Sequence, residues 1–277
     1  MNTSKLCIRT AHPALRSSLV AAILVALLGA PGASRASEPL ETETANTLKA
    51  GVLQLEGIVE YQTSADGTEF ATPMAFEYGI LNDLELLVEP VFYTAIAPAS
   101  GSTARGLGDL ESTATFRFLH EGGPVPLNVA VAFEVKVPTA KNKAIGTGKF
   151  DYTGYLIASK KLGPFDLHGN VGYAILGQPA GTKLRNIWNF NAAVVYHTTD
   201  HLDLLSEFLS ATSPVPAGSE PPENSANPEI SGGELVGMLG ARYYFIPKLC
   251  WLSAAVTYDN NKAWLVRSAL SWRIPTY

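Results

Sequence analysis

The feature of the sequence that most limits its fold is a repeated alternation of apolar and polar residues, which is clearest between Leu127 and Pro138. The odd positions from 127 to 137 are all apolar, whereas the even positions are small or polar and include Glu134 and Lys136. Successive side chains of a strand point to opposite faces, so one face of this strand is hydrocarbon and the other is wet. Such a strand fits a soluble sandwich, where the apolar face meets the core, or a membrane barrel, where it meets lipid.

The rest of the chain repeats this alternation in stretches of about 10 to 13 residues, each followed by a turn, and the stretches total twelve. From Gly51 onward the sequence contains no long amphipathic helix pattern and no apolar run of the length that a spanning helix needs. The connections after the even-numbered stretches are short and are centred near Asn82, Gly122, Gly163, Asp200 and Pro247. Those after stretches three, five, seven and nine are long and rich in Gly, Pro or Ser.

This asymmetry is typical of transmembrane barrels, which have short periplasmic turns and longer outer loops. When the stretches are threaded up and down, the aromatic residues also form one belt at each end, as the two membrane interfaces require. We therefore predict an all-β protein that folds as a closed antiparallel up-and-down transmembrane β-barrel of about 12 strands. A periplasmic soluble β-protein is the alternative.

The N-terminal region predicts export. Lys5, Arg9 and Arg16 precede the apolar run Leu19–Ala30, and Ser34–Ala36 forms a small-residue cleavage site. Residues 1–36 are thus interpreted as a cleaved secretory signal peptide, residues 37–50 as a short periplasmic tether or small plug, and residues 51–277 as the outer-membrane barrel. Removal of the signal leaves 16 basic and 25 acidic residues, so nucleic acid is not expected to be a partner.

Five short motifs of the chain carry a family resemblance. They are Gly106–Asp109, Glu134–Thr139, Gly146–Gly148, Ala158–Gly163 and His168–Tyr173. These motifs resemble those of the outer-membrane family named for the MetA pathway of phenol degradation. The resemblance extends from about Gly51 to Arg273 and is most specific between the Lys-Val-Pro-Thr and Gly-Thr-Gly motifs. It implies a transporter-like outer-membrane barrel that passes small compounds, often aromatic or hydrophobic ones.

Charged residues on the polar faces of the predicted strands are candidates for lining a pore. They are Glu56, Glu60, Glu85, Glu89, Glu111, Arg117, Glu134, Lys136, Glu207, Glu234, Arg242 and Arg267. Their acidic excess would favour cations or polar neutral solutes over anions. Alternatively, these charges pair across strands and fill a narrow barrel, with Glu134 and Arg117 holding neighbouring strands together.

No enzymatic or cofactor site is predicted. His120, His168, His197 and His201 all fall near the periplasmic end and match no zinc spacing. The segment Gly146–Lys149 lacks the upstream glycine of a phosphate-binding loop. We predict no catalytic, metal or cofactor-binding residues.

Together these patterns predict a porin-like transporter in the outer membrane of a Gram-negative bacterium, which takes up small molecules passively. The alternative is a closed barrel with a structural, binding or surface-interaction role. The expected partners are outer-membrane lipid, small-molecule solutes and, during insertion, the barrel-assembly machinery.

Overall fold

The computed structural model describes residues 38–122, 125–216 and 233–275. The predicted signal peptide, residues 1–36, lies outside the described residues. Within the described part, all strands belong to one antiparallel sheet. The strands are β1 (Val52–Ser64), β2 (Gly67–Leu81), β3 (Leu84–Pro98), β4 (Ala104–Gly106), β5 (Leu110–Leu119), β6 (Asn128–Val137), β7 (Asp151–Leu162), β8 (Phe165–Ile175), β9 (Ile187–His197), β10 (Leu202–Ala211), β11 (Glu234–Ile246), β12 (Cys250–Asp259) and β13 (Trp264–Pro275).

The sheet closes on itself because β1 pairs with both β2 and β13. The three-residue β4 and the longer β5 both pair with β3 in one continuous register. Together they count as a single, interrupted strand of the barrel wall. The result is a closed, twelve-stranded antiparallel barrel, which confirms the predicted fold class. Closure leaves no unpaired sheet edge, as a β-protein in lipid requires.

The exterior of the barrel distinguishes a membrane protein from a soluble sandwich. On β6, Val131 and Phe133 are exposed at 43% and 54%, whereas Ala130 and Ala132, on the opposite face, are buried. The same arrangement recurs around the wall, with large apolar side chains outside and small, polar or charged ones inside. An exposed hydrocarbon surface of this extent fits lipid, not water.

Two details of the wall are irregular. The Gly/Ser-rich stretch of residues 97–106 predicts a loop, but β3 continues through Pro90 to Pro98 and pairs with β4. The alternation of β7 is weak because Lys160 lies at an outward-facing position, opposite Leu167. Its side chain is buried in an ion pair with Glu121, in the turn after β5, so this lysine is not exposed to lipid.

The ends of the barrel carry different connections. The turns after β2, β5, β7, β9 and β11 are short, and by the general rule for such barrels they mark the periplasmic end. The connections after β6, β8 and β10 are longer and mark the outer end. Among the described residues, no helix is long and apolar enough to cross a membrane.

Candidate functional site: the barrel lumen

Residues 38–50, which precede β1 and are here called the luminal segment, lie inside the barrel. The segment belongs to no strand. Its middle part is almost completely buried, since Thr42 and Ala45 are 0% exposed and Leu48 is 1% exposed. The segment therefore occupies part of the lumen, and its role as a tether or a small plug stays a prediction.

Two glutamates of the wall bind backbone groups of the luminal segment. Glu207 on β10 accepts hydrogen bonds from the backbone N–H of Thr42, at 3.0 Å, and from its hydroxyl, at 2.8 Å. It also accepts one from the N–H of Glu41. Glu85 on β3 accepts one from the N–H of Leu48. A segment without secondary structure must satisfy its buried N–H groups in this way.

Further polar side chains complete the attachment. Ser159 on β7 accepts a hydrogen bond from the N–H of Ala45 at 2.9 Å and lies 2.8 Å from Nδ1 of His168. Arg242 on β11 donates to the carbonyl oxygens of Glu38 and Pro39. Asn128 on β6 donates to Asn46, Asn170 on β8 donates to the carbonyl of Glu43, and Arg267 on β13 pairs with Glu41. The luminal segment is therefore bound to seven strands around the barrel.

Apolar contacts fit the luminal segment to the wall. Ala45 packs against Ala130, Ala132 and Ile157, and these small wall residues leave room for the chain. Leu40 packs in a second cluster, with Val195, Leu205, Met238 and Ala255. Gly79 on β2 approaches the segment so closely that an added Cβ would lie 2.1 Å from the carbonyl oxygen of Lys49. Position 79 therefore requires glycine, because a side chain there would collide with the backbone at the end of the luminal segment.

The described residues enclose at least two cavities beside the luminal segment. The larger, of about 330 Å³, is bounded by the segment and by wall residues that include Glu56, Glu89, Glu134 and Tyr155. The second, of about 310 Å³, is lined by Glu60, Glu69 and Asp259 among others. The cavities adjoin, because Glu41, Leu209 and Glu234 line both. Among the described residues that line them, Arg267 is the only base.

The concentration of carboxyl groups affects their ionisation. Glu43 lies on the luminal segment, outside the spanning strands, and burial together with the Glu134 carboxylate raises its pKa to about 8. The titratable groups that act on Glu43 are Glu38, Glu77, Glu85, Glu89, Glu134 and Tyr155. A protonated Glu43 is therefore favoured while the segment occupies the lumen.

The predicted pore-lining residues separate into three groups. Seven line the cavities: Glu56, Glu60, Glu89, Glu111, Glu134, Glu234 and Arg267. Glu85, Glu207 and Arg242 instead bind the luminal segment. Arg117 and Lys136 line neither cavity: Arg117 binds Asp83 in the turn after β2, and Lys136 pairs with Asp151. The suggested pair of Glu134 and Arg117 is not formed, because Glu134 accepts hydrogen bonds from Thr153 and Tyr155.

Sequence reasoning did not identify a polar network near the periplasmic end. The two ring nitrogens of His197 lie 2.8 Å from Asp203 and 2.9 Å from Asp166, and Tyr244 donates to Asp203 at 2.9 Å. The register pairs His197 on β9 directly with Asp203 on β10, whereas Asp166 on β8 is paired with Val195, two residues from His197. Each of His197, Asp203 and Asp166 is polar and occupies the inward-facing positions of its strand, which is the only signal that the sequence offered. With Tyr244 on β11, the network joins four neighbouring strands.

Comparison with known proteins identifies the fold. The COG4313 outer membrane channel from Pseudomonas putida F1 is similar, with a TM-score of 0.61 and 13% identity over 86% of this chain and 100% of that chain. The NanC porin is similar with a TM-score of 0.56 and 10% identity, over 79% of this chain and 98% of that chain. The KdgM porin in complex with disordered oligogalacturonate has a TM-score of 0.53 and 11% identity, also over 79% of this chain and 98% of that chain.

At identities this low, the structural similarity establishes a shared fold alone, which is that of outer-membrane channels and porins. A closed antiparallel barrel with an apolar exterior is the architecture of the Gram-negative outer membrane, and we assign the chain to that membrane. No protein-family model matches the chain, and no curated protein matches its sequence. The resemblance to the MetA family of phenol degradation therefore stays a prediction.

Proposed function

We propose that the protein is an outer-membrane channel through which small molecules pass passively, with the luminal segment as its internal constriction. The observation that supports this most directly is the pair of adjoining cavities beside the segment. A barrel with a purely structural role does not require two adjoining cavities of about 300 Å³ each. The proposed role is passage and involves no chemical step.

The lining of the cavities bears on the class of solute. Carboxyl groups predominate, and Arg267 is held by Glu41 and Glu60, so its charge is largely compensated. A narrow passage lined by one sign of charge concentrates solutes of the opposite sign. We propose that the channel favours cationic and neutral molecules over anions. Aromatic compounds, the class implied by the sequence resemblance, are included in this proposal.

A matched pair of aromatic solutes tests both parts of the proposal. Tyramine and 4-hydroxyphenylacetate have similar size and opposite charge, and glutamine is a neutral aliphatic comparator. We expect proteoliposomes that contain the protein to take up tyramine faster than 4-hydroxyphenylacetate, with glutamine between them. Rates equal to those of empty vesicles for all three solutes would contradict passage, and faster entry of the anion would contradict the proposed preference.

The second candidate function is a closed barrel with a structural or binding role, and the many bonds of the luminal segment favour it. Deletion of residues 38–48 distinguishes the two candidates. If the segment constricts a channel, the deletion increases uptake while the full-length protein still shows measurable flux. If the full-length protein shows none and only the deletion variant conducts, the closed barrel is the better description. Heat-dependent migration in SDS gels verifies that both proteins are folded.

A further inference from the structure

The longer connections of the barrel differ in the sign of the charges that their sequences contain. The connection from β6 to β7, residues 138–150, contains Lys141, Lys143 and Lys149 and no acidic residue. The connection from β8 to β9, residues 176–186, contains Lys183 and Arg185 and again no acid. The connection from β10 to β11 has the opposite composition, with three glutamates and no base. This separation is unexpected in a chain whose formal net charge is −5.

The two basic loops are neighbours in space. An added Cβ on Gly177 would lie 2.4 Å from the Cβ of Lys149, so the backbones of the loops touch. The N–H of Gly177 also donates to Asp151, at the start of β7, at 2.7 Å. Their lysines therefore lie on one sector of the outer end. We call Lys141, Lys143, Lys149 and Lys183 the basic rim.

The side chains of the basic rim are accessible to a ligand. All four of its side chains are exposed, and within the described parts of the chain none of the four forms an ion pair. Arg185 differs, because it donates to the carbonyl oxygens of Ser213 and Val215.

The backbone around Lys141 and Lys143 is anchored on both sides. The N–H of Ala140 donates to Asp109 at 2.9 Å, and the hydroxyl of Thr139 donates to the carbonyl of Gly108. Ala140 and Ile145 are buried against Ile96. An anchored turn presents its lysines to a ligand at a smaller entropic cost than a free loop does.

Directly below the basic rim, the lipid-facing surface is aromatic. The outward side chains at the outer ends of β6–β9 are Phe133, Phe150, Tyr152, Tyr173, Trp188 and Phe190, each between 38% and 54% exposed. Tyr152 stacks with both Phe133 and Phe150, and Trp188 contacts Tyr173. Aromatic belts of barrels lie at the level where acyl chains meet headgroups. Lys149 is adjacent to Phe150 in sequence, so the basic rim lies at the headgroup level itself.

We propose that the outer ends of β6–β9 bind the phosphorylated disaccharide headgroup of lipid A, the glycolipid anchor of the outer leaflet. The lysines supply the charge that its two phosphates require, and the aromatic side chains supply a surface for its acyl chains. Position favours a lipid over a soluble anion, because the cations adjoin the lipid-facing wall while the lumen is lined by carboxyl groups. This binding surface does not depend on whether the barrel conducts.

Native mass spectrometry of the detergent-solubilised protein tests the proposal with lipid A as the probe. The variant K141Q/K143Q/K149Q removes three charges from the basic rim. The variant K49Q/K248Q/K262Q removes three charges from exposed lysines elsewhere and serves as the matched control. We expect at least tenfold weaker binding of bisphosphorylated lipid A by the first variant and unchanged binding by the second. Monophosphorylated lipid A with the same acyl chains should bind less tightly to the wild type.

The source of the phosphate is tested in the same experiment. Millimolar inorganic phosphate should not displace lipid A, and phosphatidylglycerol should bind less tightly than lipid A. Equal loss of binding in both triple variants would overturn the proposal, as would equal affinity for phosphatidylglycerol or displacement by free phosphate. Heat-dependent migration in SDS gels excludes misfolding of either variant, and if the first variant misfolds, K141Q/K143Q alone replaces it.

Discussion

At the scale of single residues, chemically identical side chains on the inner wall have different roles. Glu85, Glu89 and Glu207 are all inward-facing glutamates, and the sequence predicted one pore-lining role for the three. Glu89 lines the larger cavity, whereas Glu85 and Glu207 accept hydrogen bonds from the luminal segment. The difference arises from where the segment passes, which the alternation within the strands does not encode.

The contact of Glu207 gives a prediction about the strength of this attachment. Glu207→Ala removes the acceptor of the Thr42 N–H and hydroxyl groups. Each buried donor left without a partner costs about 1–3 kcal/mol, so the luminal segment should leave its site more often. We expect increased single-channel conductance or open time in planar bilayers. Glu207→Gln, which keeps one acceptor oxygen, should have a smaller effect.

Glu89→Gln is the matched control for this prediction, because Glu89 is a luminal carboxyl that lines the cavity beside the segment. Glu89→Gln should leave the luminal segment bound as strongly as in the wild type. If Glu207→Ala conducts no more than Glu89→Gln, then the hydrogen bonds of Glu207 do not hold the segment in place.

At the scale of secondary-structure elements, the strands could be predicted because their signal is local. Alternation within β6 or β12 depends only on neighbouring residues and on the two environments of the wall. Proline cannot donate to a sheet ladder, yet β3 runs through Pro90 as the alternation predicted, and Pro90 keeps its pairing with Leu110. The weak pattern of β7 depends on Glu121, thirty-nine residues from its partner Lys160, and no local pattern reports such a contact.

The luminal segment could not be placed from the sequence for a related reason. It has no periodicity, and its partners are distributed over seven strands, from Glu85 on β3 to Arg267 on β13. The sequence limited residues 37–50 to a tether or a plug. Only the closed barrel brings Ser159, Glu207 and Arg242 around one axis, where they bind an extended chain.

The network of His197 connects four strands, β8 to β11, and is predicted to contribute to stability. Both ring nitrogens face carboxylate oxygens, so both must donate and the imidazole is held as a cation between Asp166 and Asp203. His197→Gln leaves two buried carboxylates without this charge. We expect the free energy of unfolding to fall by about 3 kcal/mol, measured by urea titration in detergent micelles.

Two further variants show whether charge causes the effect. The double variant H197Q/D203N should recover part of the loss, because one of the two buried charges is removed. His120→Gln should have little effect, since His120 is half-exposed beside Asp83. A stability of H197Q equal to that of the wild type would mean that the network does not stabilise the barrel.

At the scale of the whole molecule, the barrel keeps three environments apart. Its exterior is apolar, its lumen is lined by carboxyl groups, and the basic rim lies at the outer edge of one side. The formal net charge conceals this arrangement, because the carboxyl groups of the cavities and the lysines of the basic rim lie in different parts of the barrel. Electrostatic effects on the lumen should therefore depend on the luminal carboxyl groups more than on the overall charge.

The ionisation of Glu43 provides a test of this dependence. Its pKa is about 8 with the segment in the lumen, against an ordinary value of 4.5 in water. Between these values the enclosed segment binds more protons than the released one, so its attachment is strongest at low pH and weakens as pH rises toward 8. We expect conductance in planar bilayers to increase from pH 5 to pH 8.5. Glu43→Gln, which stays neutral, should flatten this increase, while Asp200→Asn, an exposed carboxyl at the periplasmic end, should preserve it. A pH profile of the Glu43→Gln variant as steep as that of the wild type would assign the dependence to the carboxyl groups of the wall instead of the luminal segment.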